Sequence, residues 1–248
     1  MASRVALTSP RIVAFEVTTR CNLKCVMCPH GIGAIVEPRD ADAALLEAIW
    51  PAMEAADLLH LNGVGEPLLA APFWTVIDRL KGRARPRISF NTNGLLLTDT
   101  NIDRLRDAPL DGIWVSIDAA TEATYERIRG GSFAKVIDGV RRLVGRPGDR
   151  RGVTITFVVM RENFAEMVPF VELAYDLGVP KVWFGPLTET AISAEAWTVT
   201  RSDGWQFRYK EQQIQTTDEQ LIARLRAATD RGRHLGVEVE GINIMSLP

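Results

Sequence analysis

The stretch TTRCNLKCVMCPH (residues 18–30) contains all three cysteines of this 248-residue chain, Cys21, Cys25 and Cys28. It directly follows the first predicted β-strand, RIVAFEV (11–17), so the three thiols lie at the carboxyl end of that strand. Thiolates are soft ligands that select zinc, copper(I) or iron–sulfur clusters. An odd number of closely spaced cysteines does not suit a disulfide framework. The stretch therefore predicts a metal site.

The number and spacing of these cysteines favour a four-iron cluster, because three thiolates leave one iron open for a ligand that is not protein. A structural zinc site needs four protein ligands. His30 is a candidate fourth ligand, but its position two residues after Cys28, across Pro29, does not match the usual paired spacing. Zinc and three incidental buried cysteines are the alternative interpretations.

Strand and helix patterns alternate along the rest of the chain. Runs rich in Val, Ile, Phe or Trp, bounded by Gly, Pro, Asp or Asn, predict five further strands at 58–62, 87–92, 112–118, 153–160 and 181–185. Amphipathic patterns predict helices between them at 41–55, 72–81, 99–106, 132–146 and 164–177. Six such alternations predict parallel strands with right-handed crossovers. Because six strands are too few to close an eight-stranded barrel, the predicted fold is α/β, a partial (βα)6 TIM-type barrel; a doubly wound open sheet is the alternative.

The segment from Thr188 to Gln215 breaks this alternation. It carries Trp197, Trp205 and Tyr209 among charged residues with no clean period. One interpretation is a surface excursion whose aromatic side chains pack on the barrel, and the other is a wall of the substrate pocket formed by these three residues. A helix at 218–234 and a last strand within 236–244 follow. We expect a core over 1–187 and a C-terminal extension over 188–248 that completes the same domain.

Charge and hydropathy restrict the partners. Lys and Arg number 29 against 31 Asp and Glu, so a nucleic-acid partner has no electrostatic support. The N-terminus lacks the apolar run of a signal peptide, and no stretch approaches about 18 consecutive apolar residues. These features predict a soluble, cytoplasmic protein without a membrane or nucleic-acid partner.

The CxxxCxxC spacing after strand one resembles the signature of the radical SAM superfamily, over roughly Ile12 to Gly185. In that family the three thiolates hold a 4Fe–4S cluster whose open iron binds the amino and carboxylate groups of S-adenosylmethionine (SAM). Reduction of the cluster cleaves SAM to a 5′-deoxyadenosyl radical, which abstracts a hydrogen atom from the substrate. The resemblance implies an external electron donor such as flavodoxin or ferredoxin. The residue before the last cysteine, often aromatic in the family, is here Met27, which can still pack on adenine.

A second motif, LNGVGEPLL (61–69), resembles the glycine-rich motif that binds the amino group of SAM in this family. Gly63 and Gly65 allow the backbone to approach a ligand closely. Glu66 then offers a carboxylate to an ammonium group in a charge-assisted hydrogen bond. By itself GVGEP is more often a turn before a helix. Its position directly after strand two, in a chain that also has the CxxxCxxC motif, makes it a strong signal for the cofactor site.

Weaker matches follow the later strands, where family members contact the cofactor. Asn93 in NTNG and Ser116 in SIDA fall where the methionine or ribose part is bound, and a serine hydroxyl can pair with a ribose hydroxyl. Asp118 is either a cofactor contact or the cap of the following helix. Arg129 either reaches the cofactor carboxylate or is a solvated arginine at a helix end. Met160, after strand five, is placed where the family contacts adenine.

The amino-acid sequences of these motifs are most similar to those of the subgroup that modifies peptides and biosynthetic intermediates. Members commonly add a cysteine-rich C-terminal domain with auxiliary clusters, whereas no cysteine follows Cys28 in this sequence, which predicts a single cluster. The predicted function is a radical SAM enzyme that abstracts a hydrogen atom from a small biosynthetic intermediate or a peptide. Alternatives are an epimerase with a non-cysteine hydrogen donor and a non-catalytic iron–sulfur accessory protein, which would have no need of Glu66.

The number of cysteines also limits the reactions by which a substrate radical can be quenched. With all three thiols on iron and no ligands for a second cluster, cysteine-quenched epimerisation and auxiliary-cluster oxidation are disfavoured. Oxidation back through the single cluster, elimination, rearrangement or hydrogen donation from a tyrosine remain. Tyr125, Tyr175 and Tyr209 are the candidate donors, although each is more commonly a packing residue.

Overall fold

The computed structural model describes residues 10–145, 152–188 and 197–242. Its strands and helices, in chain order, are β1 (Ile12–Ala14), α1 (Ala43–Ala55), β2 (Leu58–Leu61), α2 (Ala71–Leu80), β3 (Arg87–Thr92), α3 (Asp99–Leu105), β4 (Leu110–Ser116), α4 (Glu122–Arg129), α5 (Phe133–Val144), β5 (Val153–Val159), α6 (Met167–Leu177), β6 (Lys181–Pro186), β7 (Thr198–Thr200), β8 (Gln206–Arg208), α7 (Tyr209–Gln212), α8 (Glu219–Leu235) and β9 (Glu238–Gly241). None of the helices in these ranges combines the length and apolarity needed to cross a membrane.

Seven parallel strands form one sheet in the order β1-β2-β3-β4-β5-β6-β9. This order follows the chain without reversal, whereas a doubly wound sheet reverses at a switch point. The predicted α/β partial barrel is therefore confirmed. The seventh strand comes from the C-terminal extension, because β9 pairs with β6 through registers such as Val182 with Val239.

Alternation along the strands separates two faces of the sheet. In β4, Ile113 and Val115 are buried in the main core under the helices, whereas Trp114 and Ser116 lie half-buried on the opposite, inner face. The same alternation holds in β6, where Val182 and Phe184 join the core. Parallel barrels carry their chemistry at the carboxyl ends of the strands, so the inner face leads up to the site.

Helix α4, between Asp118 and Gly130, was anticipated only as the helix that follows Asp118 and was given no bounds from the sequence, although its boundaries have clear signals. Thr121 is its N-cap and accepts a hydrogen bond from the backbone N–H of Thr124. Gly130 ends it in the left-handed region at φ 73°, where glycine carries no steric cost. The helix has few apolar residues, so the periodicity that marks an amphipathic helix is weak there.

The N-terminus of α4 is also held by Glu166, which lies just before α6. Its carboxylate accepts hydrogen bonds from the backbone N–H groups of Ala120 (2.6 Å) and Thr121 (3.2 Å). It accepts two more from the hydroxyls of Thr121 (2.9 Å) and Thr124 (2.6 Å). A carboxylate at a helix N-terminus satisfies free donors and interacts favourably with the helix dipole.

Glu166→Ala should lower the free energy of unfolding by about 2–3 kcal/mol, because four donors lose a charged acceptor. Chemical denaturation of the anaerobically handled protein measures this change. Glu126→Ala, at an exposed position of the same helix, is the control and should change the stability by less than about 0.5 kcal/mol. Equal stabilities for the two variants would contradict the assignment.

Candidate functional site

The three cysteines lie in a long loop between β1 and α1, here called the cysteine loop (residues 15–42). Its two ends are joined by the backbone hydrogen bond from Thr19 N to Arg39 O (2.8 Å) and by the bond from the Thr18 hydroxyl to Asp40 (2.7 Å). Arg20 adds an ion pair with Asp40 at 2.9 Å. The base of the loop is thus closed by polar contacts within the loop itself.

The middle of the cysteine loop is attached to α4 and to the aromatic C-terminal segment. Val26 N donates to the carbonyl of Ile128 at 2.9 Å, and the Trp197 indole N–H donates to the carbonyl of Val26 at 2.8 Å. Trp197 is 1% exposed. It belongs to a second apolar cluster, separate from the main core, formed by Val26, Ile128, Met160, Leu187, Trp197, Phe207 and Tyr209. The segment after β6 therefore supports the loop that carries the cysteines.

All three cysteines line one cavity of about 300 Å³ at the carboxyl ends of the strands. Most of the residues predicted to bind the cofactor line it as well. They are Met27, Gly63, Gly65, Glu66, Asn93, Ser116 and Arg129. Asn91, Thr92 and Val158 are further lining residues that were not predicted individually as site residues. The side-chain oxygen of Asn91 is buried and has no hydrogen-bond partner in the described part of the chain, which leaves an acceptor for a bound group.

The three thiols are the soft metal ligands of this site, and they can be compared with the needs of a single ion and of a cluster. Within the described residues, no three His, Cys, Asp or Glu side chains lie close enough together to hold one metal ion. Zinc would need four such ligands around one centre, whereas a 4Fe–4S cluster takes each cysteine on a different iron.

The surroundings of the sulfur atoms combine burial with nearby N–H groups, which have opposite effects on the thiolate form. Burial raises the pKa of all three cysteine thiols, and that of Cys25 to about 12, so the metal-free protein holds them protonated and cluster binding must release protons. N–H groups approach two of the sulfurs: Leu23 N lies 3.5 Å and Asn93 Nδ2 3.9 Å from Cys21 Sγ, and Arg129 Nη1 lies 3.8 Å from Cys25 Sγ. Such donors stabilise ligand thiolates.

Glu66 holds a buried carboxylate at the wall of the cavity. Its Oε1 accepts hydrogen bonds from Leu68 N (3.2 Å) and the Thr92 hydroxyl (2.8 Å), and its Oε2 accepts one from Asn93 N (2.7 Å). Burial raises the pKa of this carboxyl group, while these bonds oppose the rise. A carboxylate has about four acceptor positions, so one position on Oε2 remains for a donor in the cavity.

The two glycines of the same motif serve the packing of the cysteine loop. A Cβ added to Gly65 would lie 2.3 Å from the carbonyl oxygen of Thr18 and 2.8 Å from that of Arg20. A Cβ at Gly63 would collide with the flexible Glu16 side chain at 2.1 Å. Gly65 thus permits a close approach of two backbones, which brings Glu66 beside the cysteines.

Arg129 and Asp118 form a buried ion pair next to the cysteines. Asp118 is completely buried at a positive φ of 62°, and its two oxygens accept from Val158 N (2.7 Å) and from Arg129 Nε (2.8 Å). Asp118 is therefore not the helix cap, a role that Thr121 fills. The interpretation of Arg129 as a solvated arginine is also wrong, since its side chain is 9% exposed and lines the cavity.

Met160 and the aromatic residues of the C-terminal segment are not among the residues that line the cavity. Met160 and Tyr209 are buried in the second apolar cluster with Trp197. Trp205, half-buried on the β7–β8 hairpin, has Arg127 5.8 Å from its ring centroid. These positions favour the packing interpretation of the segment over the pocket wall. Residues 189–196 of that segment lie outside the described residues.

The tyrosines predicted as hydrogen donors differ in their surroundings. Tyr175 is 54% exposed on α6, and the Tyr209 hydroxyl donates to the carbonyl of Thr188. None of the three tyrosines, Tyr125 included, is among the residues that line the cavity. Tyr125 is fully buried, its hydroxyl has no hydrogen-bond partner among the described residues, and burial raises its pKa.

Two tryptophans on the inner face, Trp114 and Trp183, were not singled out from the sequence. Their ring centroids are 6.1 Å apart, and both side chains are half-buried. A Cβ at Gly185 would lie 2.1 Å from the Trp183 ring, so this ring lies over Gly185. Gly185 pairs in register with Val158, which lines the cavity. Strand alternation could have indicated this face, because Trp114 precedes Ser116 by two residues.

Comparison with known proteins shows the class that this fold and site define. The chain belongs to the radical SAM superfamily, whose family model matches residues 15–174. A 4Fe–4S cluster and SAM are the cofactors of this family, so the prediction of both is confirmed at that level.

Among individual relatives, the chain is 29% identical over 174 residues to the mycofactocin maturase MftC of Mycobacterium tuberculosis, covering 69% of this chain and 44% of the relative. It is 34% identical over 179 residues to an AdoMet-dependent heme synthase of Methanosarcina barkeri, and the match covers 70% of this chain and 50% of the relative. The structure of Streptococcus suis SuiB bound to its precursor peptide SuiA matches with a TM-score of 0.69 at 12% identity, covering 94% of this chain and 49% of SuiB. The chain thus spans about half the length of these proteins.

Proposed function

We propose that this radical SAM enzyme abstracts a hydrogen atom from a peptide or a small biosynthetic intermediate. The observation that carries the proposal is the single cavity lined by the three cysteines, Glu66 and Arg129 at the carboxyl ends of parallel strands. An accessory protein that never cleaves SAM would not need a buried carboxylate with a free acceptor position beside the three thiols. This combination supports catalysis over a purely structural cluster.

The residues around the cavity fit the two cofactors. Cys21, Cys25 and Cys28 would hold the cluster, which supplies one-electron cleavage of SAM when bound. Glu66 would accept a hydrogen bond from the ammonium group, and Arg129 would face the carboxylate. Asn93 and Ser116 offer polar groups to the methionine or ribose part, while Met27 and Val158 offer apolar contacts to adenine.

The structural match to SuiB bound to its precursor peptide supports a peptide substrate. The inner face of the sheet supports the same choice, because Trp114 and Trp183 lie beside the hydroxyls of Ser116 and Thr156. Half-buried indoles bind apolar or aromatic side chains, and hydroxyls bind backbone or amide groups. We place the substrate against this surface rather than against Trp197, Trp205 and Tyr209.

Anaerobic reconstitution with iron and sulfide, followed by assay of 5′-deoxyadenosine release with pools of peptides and small metabolites, tests the proposal. We expect release to rise with a substrate pool and the product to differ from the substrate, in mass after oxidation or elimination and in connectivity after a rearrangement. Failure of the reconstituted protein to release 5′-deoxyadenosine with any pool would favour the accessory protein. A mass-neutral product with one deuterium from heavy water would favour epimerisation, with Tyr125 then the first donor to test by substitution with Phe.

Trp183→Ala should lower kcat/KM for the substrate found in this screen by about 10–100-fold, the loss expected for removing one large apolar contact. SAM affinity and substrate-free 5′-deoxyadenosine release should stay unchanged, because Trp183 is not among the residues lining the cofactor cavity. Trp205→Ala is the comparison variant. If Trp205→Ala loses turnover and Trp183→Ala does not, the C-terminal segment rather than the inner face forms the wall of the substrate pocket.

A further inference from the structure

The buried ion pair between Arg129 and Asp118 is arranged so that one guanidinium nitrogen is left for a cysteine. Asp118 Oδ2 accepts from Nε and Nη2 of Arg129. The remaining nitrogen, Nη1, lies 3.8 Å from Cys25 Sγ. Because a guanidinium is planar, fixing two of its nitrogens fixes the direction of the third. The carboxylate therefore aims an N–H group at the sulfur.

This arrangement is costly to the fold. A buried ion pair often contributes no more stability than apolar residues of the same volume. Asp118 also adopts a positive φ of 62°, which non-glycine residues seldom do. Its other oxygen is fixed by Val158 N at 2.7 Å, so the carboxylate cannot turn away from Arg129. Such strain is retained where the position of a group matters.

The physical effect of this N–H group depends on what Cys25 binds. Hydrogen bonds and positive charge at a ligand sulfur favour the state of a cluster with one more electron, and so raise its reduction potential. In the described residues the cation contacts the sulfur directly, while the Asp118 carboxylate lies behind it and makes no hydrogen bond to a cysteine. Arg129 should therefore raise the reduction potential of the cluster by more than Asp118 lowers it.

We infer that Arg129, held by Asp118, is a positioning residue that raises the reduction potential of the cluster through its hydrogen bond to Cys25. The inference rests on the proposed function only for the presence of the cluster, not for the substrate. It is separate from any contact of Arg129 with the SAM carboxylate, because the potential can be measured without SAM.

An EPR-monitored redox titration of the reconstituted protein with dithionite, without SAM or substrate, tests this inference. In each titration the oxidised cluster takes up one electron from the reductant. Arg129→Gln should lower the equilibrium constant for reduction at least tenfold, which is 59 mV for a one-electron couple. Arg129→Lys, which keeps the charge, should shift the potential less. Arg127→Gln is the matched control, since Arg127 lies on the same helix but pairs with Glu162 at the surface, and it should titrate like the native protein.

Because Arg129→Gln leaves Asp118 buried without its cation, the double variant with Asp118→Asn provides a neutral pair. It should load the cluster and shift the potential in the same direction by a smaller amount. Native potentials in both variants, or an equal shift in Arg127→Gln, would overturn the inference. Failure of both variants to hold a cluster would also overturn it, in favour of a purely structural role. If the native protein holds no 4Fe–4S cluster, the proposed function itself fails.

Discussion

Replacing Cys21, Cys25 or Cys28 with alanine should abolish both the brown iron–sulfur chromophore and the cleavage of SAM. The native protein should bind about four iron and four sulfide, and the loss of any thiolate removes one of only three protein ligands. Iron and sulfide analysis, absorbance spectra and 5′-deoxyadenosine assays after anaerobic reconstitution measure the effect. The effect should be close to complete at each position because no other cysteine exists in this sequence.

His30→Ala is the control for these variants, since His30 is the one alternative ligand that the sequence offered. It should retain the chromophore. An intact cluster in any cysteine variant, or stoichiometric tight zinc in the native protein, would contradict the assignment of the three thiols.

Glu66→Gln should leave the cluster formed but weaken SAM binding by about 1.5–3 kcal/mol, the range for a hydrogen bond to a charged group. The substitution keeps the shape of the side chain and removes the charge that would face the ammonium. Isothermal titration calorimetry of the reconstituted protein under anaerobic conditions measures the change. Burial raises the pKa of Glu66. The affinity of the native protein should therefore fall as the pH is lowered through that raised pKa, a dependence that the variant should lack.

Thr92→Val separates the charge of Glu66 from its orientation. The variant removes the 2.8 Å hydrogen bond to Oε1 and the 3.1 Å bond that the Thr92 hydroxyl accepts from Gly94 N, but it keeps the carboxylate and its bond from Asn93 N. It should weaken SAM binding by no more than about 1 kcal/mol, the net value of a neutral donor. If Glu66→Gln binds SAM with native affinity, the ammonium is held by another group.

The class of the protein and the places of its main ligands could be read from local sequence. The cysteine spacing and GVGEP are contiguous motifs, and parallel strands bring the ends of consecutive strands to one edge of a sheet. For that reason Glu66, Asn93 and Ser116 could be placed near the cysteines without knowledge of side-chain positions. The strand pattern likewise predicted the winding of the barrel, because connections of this kind have one hand.

The tertiary structure alone decided which polar and aromatic side chains face the site. Asp118 follows a strand, where a helix cap and a cofactor contact are equally plausible from sequence, but the fold turns it towards Arg129 and Val158 N. Trp197 is far from the cysteines in sequence, yet its indole supports the carbonyl of Val26. In the sequence Trp183 is indistinguishable from an ordinary strand residue, and only the structure shows that its ring lies over Gly185. Such assignments depend on contacts between distant segments, and local pattern carries no information about which partner a buried polar or aromatic group will meet.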